Sequence, residues 1–180
     1  MRKHSLFTMI ATMAILVLSS CSTAEFDENL KLAFKTMEDI FEECNEVNLT
    51  MKKIVDTSFQ KSLEPHTNGK DILVILSEMA NEQYDTYEKK GVGKRITENL
   101  DLLRSQVAAM KNAPISRKSC YNDFMEIVME VSRYAEETTK NLKARYDNPV
   151  EFSLGSSTHL ADRLISDFKL KYADVLLSNP

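Results

Sequence analysis

An all-α bundle of four to five helices, with one long N-terminal helix, is the fold this chain predicts. From Phe26 onward apolar residues recur at alternating steps of three and four for more than four heptads, the spacing that lines one face of a helix. Glycine and proline number only four each, and tryptophan is absent from a chain rich in Leu, Lys, Glu and Met; strand-and-turn folds use far more of the two breakers.

The elements follow in order. Phe26, Leu30, Ala33, Phe34, Met37, Ile40, Phe41, Cys44, Val47, Met51, Ile54, Val55 and Phe59 form one seam from Ser22 to about Ser62. Ser22 and Glu25 have the spacing of a capping box, which starts the helix at once. Residues 63–70 hold Pro65, Asn68 and Gly69 and read as a connector, with Asn68 a cap for the next helix and Asp71 in its first turn. Ile72, Leu73, Ile75, Leu76, Met79, Ala80, Tyr84 and Tyr87 mark a second helix that stops at Gly91-Val92-Gly93, read as a helix-hairpin turn. Ile96, Leu100, Leu103, Val107 and Met110 share one face of a third helix, ended by Pro114. Ser116 or Ser119 caps a fourth, with its seam running from Cys120 to Leu142 and its close at Asn148-Pro149. After a loop over 149–157, Leu160, Leu164, Ile165, Phe168, Tyr172, Val175 and Leu176 make a shorter C-terminal helix. That helix, reached through a nine-residue loop, is the element expected to lift away most easily and expose a groove.

The N-terminal stretch has a different character. Arg2, Lys3 and His4 form a basic head, and the uncharged apolar run from Leu6 to Leu18 is about 13 residues long, short of the roughly 20 that span a bilayer. It closes in Leu18-Ser19-Ser20-Cys21, which resembles the lipobox of bacterial lipoproteins. The resemblance covers residues 1–21 only. It implies cleavage before Cys21, diacylglycerol on the Cys21 thiol, and a mature domain over 21–180 after removal of a signal peptide at 1–20. An ordinary signal peptide cut near Ala24 is the alternative. In lipoproteins of enteric type the residue after the cysteine sorts the protein, and Ser22 implies the outer membrane, facing the periplasm. The implied membrane partner is therefore reached through lipidated Cys21.

Removing residues 1–20 takes away two cations, Arg2 and Lys3, and none of the 27 acidic residues, so the formal charge moves from −4 to −6. That balance argues against nucleic acid and against an electrostatic membrane patch.

With Cys21 carrying lipid, Cys44 and Cys120 are the one pair left for a disulfide in an oxidising envelope. A bridge between them is the expectation, worth about 4 kcal/mol in the chain-entropy model; two buried thiols are the alternative. A plain up-down bundle sets Cys120 level with about residue 58, some 20 Å from Cys44 at 1.5 Å per residue. A connector running back along the bundle, or a break of the first helix around Asn45 to Thr50, removes that mismatch.

No catalytic, metal or cofactor site is expected. Glu38, Asp39, Glu42, Glu43 and Glu46 read as a solvated stripe, since no helix supplies the Glu-x-x-His pair of di-metal bundles. His66 and His159 have neither zinc-type nor haem-type spacing. The six methionines after residue 21 read as gap-fillers on the seams, and Gly91-Val92-Gly93 lacks the third glycine of a dinucleotide loop. The expected function is non-enzymatic binding of an envelope or secreted protein, as a pilotin-like assembly factor or an immunity-type blocker. The alternative is a ligand-binding bundle holding a lipid, haem or metal, with its cavity along Phe34, Phe41, Phe124 and Tyr134.

Overall fold

The computed structural model describes residues 22–64, 71–144 and 158–177. Cys21, His66, Asn68 and the stop at Asn148-Pro149 lie outside the described residues. Every regular element described is helical: α1 (Thr23–Ser62), α2 (Ile72–Lys89), α3 (Val92–Ala109), a 3₁₀ turn (Ile115–Arg117), α4 (Lys118–Ala144), α5 (Thr158–Lys171) and α6 (Ala173–Leu177). None is long and apolar enough to cross a membrane.

α1 is the spine. Its 40 residues rise about 60 Å at 1.5 Å each, unbroken through Asn45–Thr50. The Ser22 hydroxyl accepts the Glu25 N–H at 3.1 Å, so the helix begins where the capping spacing placed it. The seam is buried from Phe26 to Ile54 as its periodicity predicts, but Phe59 is 56 % exposed. At the start of α2 the cap is Asp71 itself, whose Oδ1 accepts the Leu73 N–H at 3.0 Å.

The largest departure from the sequence reading is at Gly91. It is not a hairpin turn: α2 and α3 run in the same direction, end to end, along α1. Near the far end of α1, Val55 and Phe59 share a crevice with Ile72, Leu73 and Leu76 of α2. Further back, Arg95 of α3 donates to Glu43 at 3.1 Å, and just beyond α3 Arg117 pairs with Asp27 at 2.8 Å. Two helices of 18 residues thus match one of 40. Gly91 joins them with φ at +65°, a left-handed conformation that costs a residue with a Cβ free energy.

Because α3 runs on, α4 starts beside the first turns of α1 and lies parallel to it. Phe26 meets Tyr121 edge-on with ring centroids 6.5 Å apart, Phe41 meets Tyr134 at 6.0 Å, and Asn48 reaches Thr138 at 3.2 Å. α4 begins at Lys118 after the 3₁₀ turn; Ser119 lies within it, its hydroxyl 3.4 Å from that of Tyr172. α5 returns antiparallel, with Leu164 beside Ile127 and Tyr172 donating to Asp123 at 2.6 Å. The buried apolar side chains of all these helices form one cluster. The bundle tapers: among the described residues α3, α4 and the α5–α6 arm flank the start of α1, α4 and the α2–α3 rod its middle, and α2 alone its last turns.

Gly91→Ala should lower thermal stability by about 1 kcal/mol, the cost of a Cβ in the left-handed region. Gly93→Ala should be neutral or slightly stabilising, because a Cβ there meets only Leu142 Cδ1, at 3.8 Å, and helix interiors favour alanine. Thermal melts of the two variants, followed by circular dichroism, check the contrast.

Candidate functional site

The place expected for an internal ligand is filled by side chains. Phe168 of α5 stacks on Phe34 with centroids 5.4 Å apart and lies 5.7 Å from Phe124, while Tyr172 packs behind it at 4.7 Å. Phe168 is 3 % exposed, and burial of such a ring stabilises by about 2–3 kcal/mol. α5 is also fastened at its edges. Lys169 pairs with Glu38, and Lys171 meets Asp123 at 2.6 Å. Lys171, and after it the Tyr172 hydroxyl, hold the Asp123 carboxyl below the ordinary carboxylate range. The helix read as able to lift away therefore closes the core of the lower half.

One polar node is buried between α1 and α4. The Asn48 amide donates to the Cys44 carbonyl at 2.9 Å, the Tyr134 hydroxyl at 2.7 Å and the Thr138 hydroxyl at 3.2 Å, its two N–H bonds shared among three acceptors. Tyr134 donates in turn to the Cys44 carbonyl at 3.4 Å. These bonds set the axial register of the two helices, since a slip of one turn leaves each group unpaired in low dielectric. Nothing in the spacing of the sequence marks Asn48, which belongs to no apolar seam.

The expected Cys44–Cys120 disulfide is absent: both thiols are free and buried. The reason is that α1 is unbroken and α4 starts beside its first turns. Cys44 lies level with Tyr134 and Thr138, whereas Cys120 lies beside Asp27 and Arg117. Some 17 residues of α1, roughly 25 Å, separate the two levels, and a bridge needs Cα atoms within about 7 Å. Burial pushes both thiols up to about 12, so neither forms a thiolate at neutral pH.

The acidic stripe is divided among neighbours. Glu38 pairs with Lys169 and Glu43 with Arg95, while Asp39 and Glu42 line a crevice with Lys31 and Lys35. Among the described residues no group of three His, Cys, Asp or Glu side chains is placed to hold a metal ion. His159 falls in the first turn of α5, and Cys21 precedes the described chain by one residue.

One apolar groove open on the surface lies at the tip of the α1–α2 pair. Val55, Asp56, Phe59, Gln60, Ile72, Leu73 and Leu76 line a groove of about 550 Å³. Phe59 and Leu73 are each 56 % exposed, and Leu63, one turn past Phe59, is 71 % exposed. Both helices turn apolar side chains outward here; α4 is described as far as Ala144, about level with Ile54, and no third helix among the described residues covers them. Apolar side chains gathered in a groove with a polar rim mark a contact surface more often than scattered ones do. No family model, curated protein or solved structure matches the chain.

Two measurements check this geometry. Cys44 and Cys120 should react with a maleimide only on unfolding, and mapping of the peptides that carry them should give the same masses with and without reduction. Asn48→Ala should cost about 2 kcal/mol, read from denaturant unfolding as a lower midpoint with an unchanged slope.

Proposed function

We propose that this chain is a lipid-anchored envelope lipoprotein whose helical bundle binds another protein without enzymatic chemistry. The observation that carries the reading is the apolar groove at the α1–α2 tip, at the opposite end of the spine from Ser22. With Cys21 lipidated, α1 starts two residues from the membrane and carries the groove about 60 Å away from it. The address is the outer membrane, facing the periplasm, as the Ser22 position implies. The partner is an envelope or secreted protein offering an apolar helix face. Pilotin-like assembly and immunity-type blocking both use such a contact. An internal lipid, haem or metal finds less support, because Phe168 occupies the space between Phe34 and Phe124.

A photo-crosslinking amino acid at Phe59 or Leu73 should capture one discrete protein in the native envelope, and the same group at Leu49 or Met129 should not. Leu73→Glu should weaken capture by about 2 kcal/mol, roughly 30-fold, while thermal stability changes by less than about 0.5 kcal/mol. Equal capture from all four positions, or co-purification of only a small molecule, sinks the tip as the docking site.

A further inference from the structure

At the opposite end of the bundle a second apolar side chain is exposed, in different electrostatic surroundings. Residues 102–122 contain no Asp or Glu, the longest such stretch after residue 24, and include Arg104, Lys111, Arg117 and Lys118. The fold brings the middle of this stretch to the level where α1 begins. Arg117 Nε and Nη2 donate to the two carboxylate oxygens of Asp27 at 2.8 Å each, a forked pair that fixes both position and orientation. Phe26 against Tyr121 supports the same corner. On the turn so fixed, Ile115 is 96 % exposed. Lys111 and Lys118 flank it, both exposed and neither in an ion pair among the described residues.

We propose that the 3₁₀ turn is a membrane-contact foot, with Ile115 entering the headgroup layer of a bilayer and Lys111 and Lys118 meeting anionic headgroups. The inference rests on the lipid-anchored reading above. Asp27 lies four residues into α1, about 6 Å along the axis, so a turn clamped to it sits at the surface that a lipid on Cys21 would enter. An aliphatic side chain flanked by lysines is the pattern of interfacial segments, and each lysine near an anionic surface adds attraction. A second copy of the chain is disfavoured as the occupant, because it would bring the same lysines against these. Glu25, Glu28 and Asp174 lie at the same level, so the attraction comes from the two lysines that flank Ile115 and not from the face as a whole, while screening over about 8 Å removes the carboxylates further along the bundle.

The test uses the full lipidated protein in vesicles of phosphatidylethanolamine and phosphatidylglycerol, spin-labelled at Ile115→Cys or, separately, at Leu73→Cys. The buried Cys44 and Cys120 stay unlabelled in the folded protein. At position 115 collisions with a water-soluble nickel chelate should fall at least threefold below those at position 73, and collisions with oxygen should rise. Lys111→Glu with Lys118→Glu should return position 115 to the aqueous values. Flotation separates the two readings. Protein that floats while position 115 keeps aqueous values overturns the foot and leaves the anchor standing, whereas protein that fails to float overturns both. Protection of position 115 in native envelopes but not in vesicles would assign the turn to a protein partner and also defeat the proposal.

Discussion

The apolar seam of α1 has to be covered along a helix that no other element matches in length, and the rest of the fold answers to that constraint. α2 and α3 each supply less than half of it. They succeed by running in tandem, and the left-handed Gly91 between them permits a break without a reversal. Once α3 continues downward, α4 must start at the foot of α1 and run parallel to it. α5 then folds back onto the lower half. A hairpin at Gly91 would instead have sent α4 to the other end, moving every contact between α1 and α4.

The taper follows from the same arithmetic. Three rods cover the lower seam, where Phe34, Phe124 and Phe168 pack ring against ring. Two cover the middle, where Asn48 locks the register. At the tip α2 is left as the one described partner of α1, so the hydrophobic face that elsewhere builds the core becomes surface. The docking groove and the core are thus made by the same seam, and what distinguishes them is the number of helices present to cover it. The foot has a different origin. Ile115 belongs to no seam and stands out because the Arg117–Asp27 pair holds its turn rigid.

Much of the architecture was legible in the residues. The seams from Phe26 to Ile54 and along α3 and α5 follow the helical period, and the Ser22 cap lies where its spacing placed it. Periodicity reports which face of a helix is buried, but it carries no information about the direction of the next helix. Gly91-Val92-Gly93 reads as a hairpin, and what makes it a kink instead are partners that no local pattern shows: Arg95 finds Glu43 and Arg117 finds Asp27, contacts across 52 and 90 residues. The disulfide fails for a separate reason: both cysteines do sit on seams, but a hairpin would also leave them about 20 Å apart, and α1 has no break at Asn45–Thr50 to close the gap.

By itself the sequence determined that the chain is helical, where most of its helices start and stop, and which residues face inward, because those properties are set by local spacing, capping and the scarcity of breakers. Only the tertiary structure decided that α2 and α3 lie in line, that Cys44 and Cys120 stand roughly 25 Å apart, that Asn48 bonds across to α4, and that Phe59 and Ile115 face outward. Each of these depends on which helix ends beside which, and that is settled by the summed packing of long-range contacts, not by any short stretch of residues.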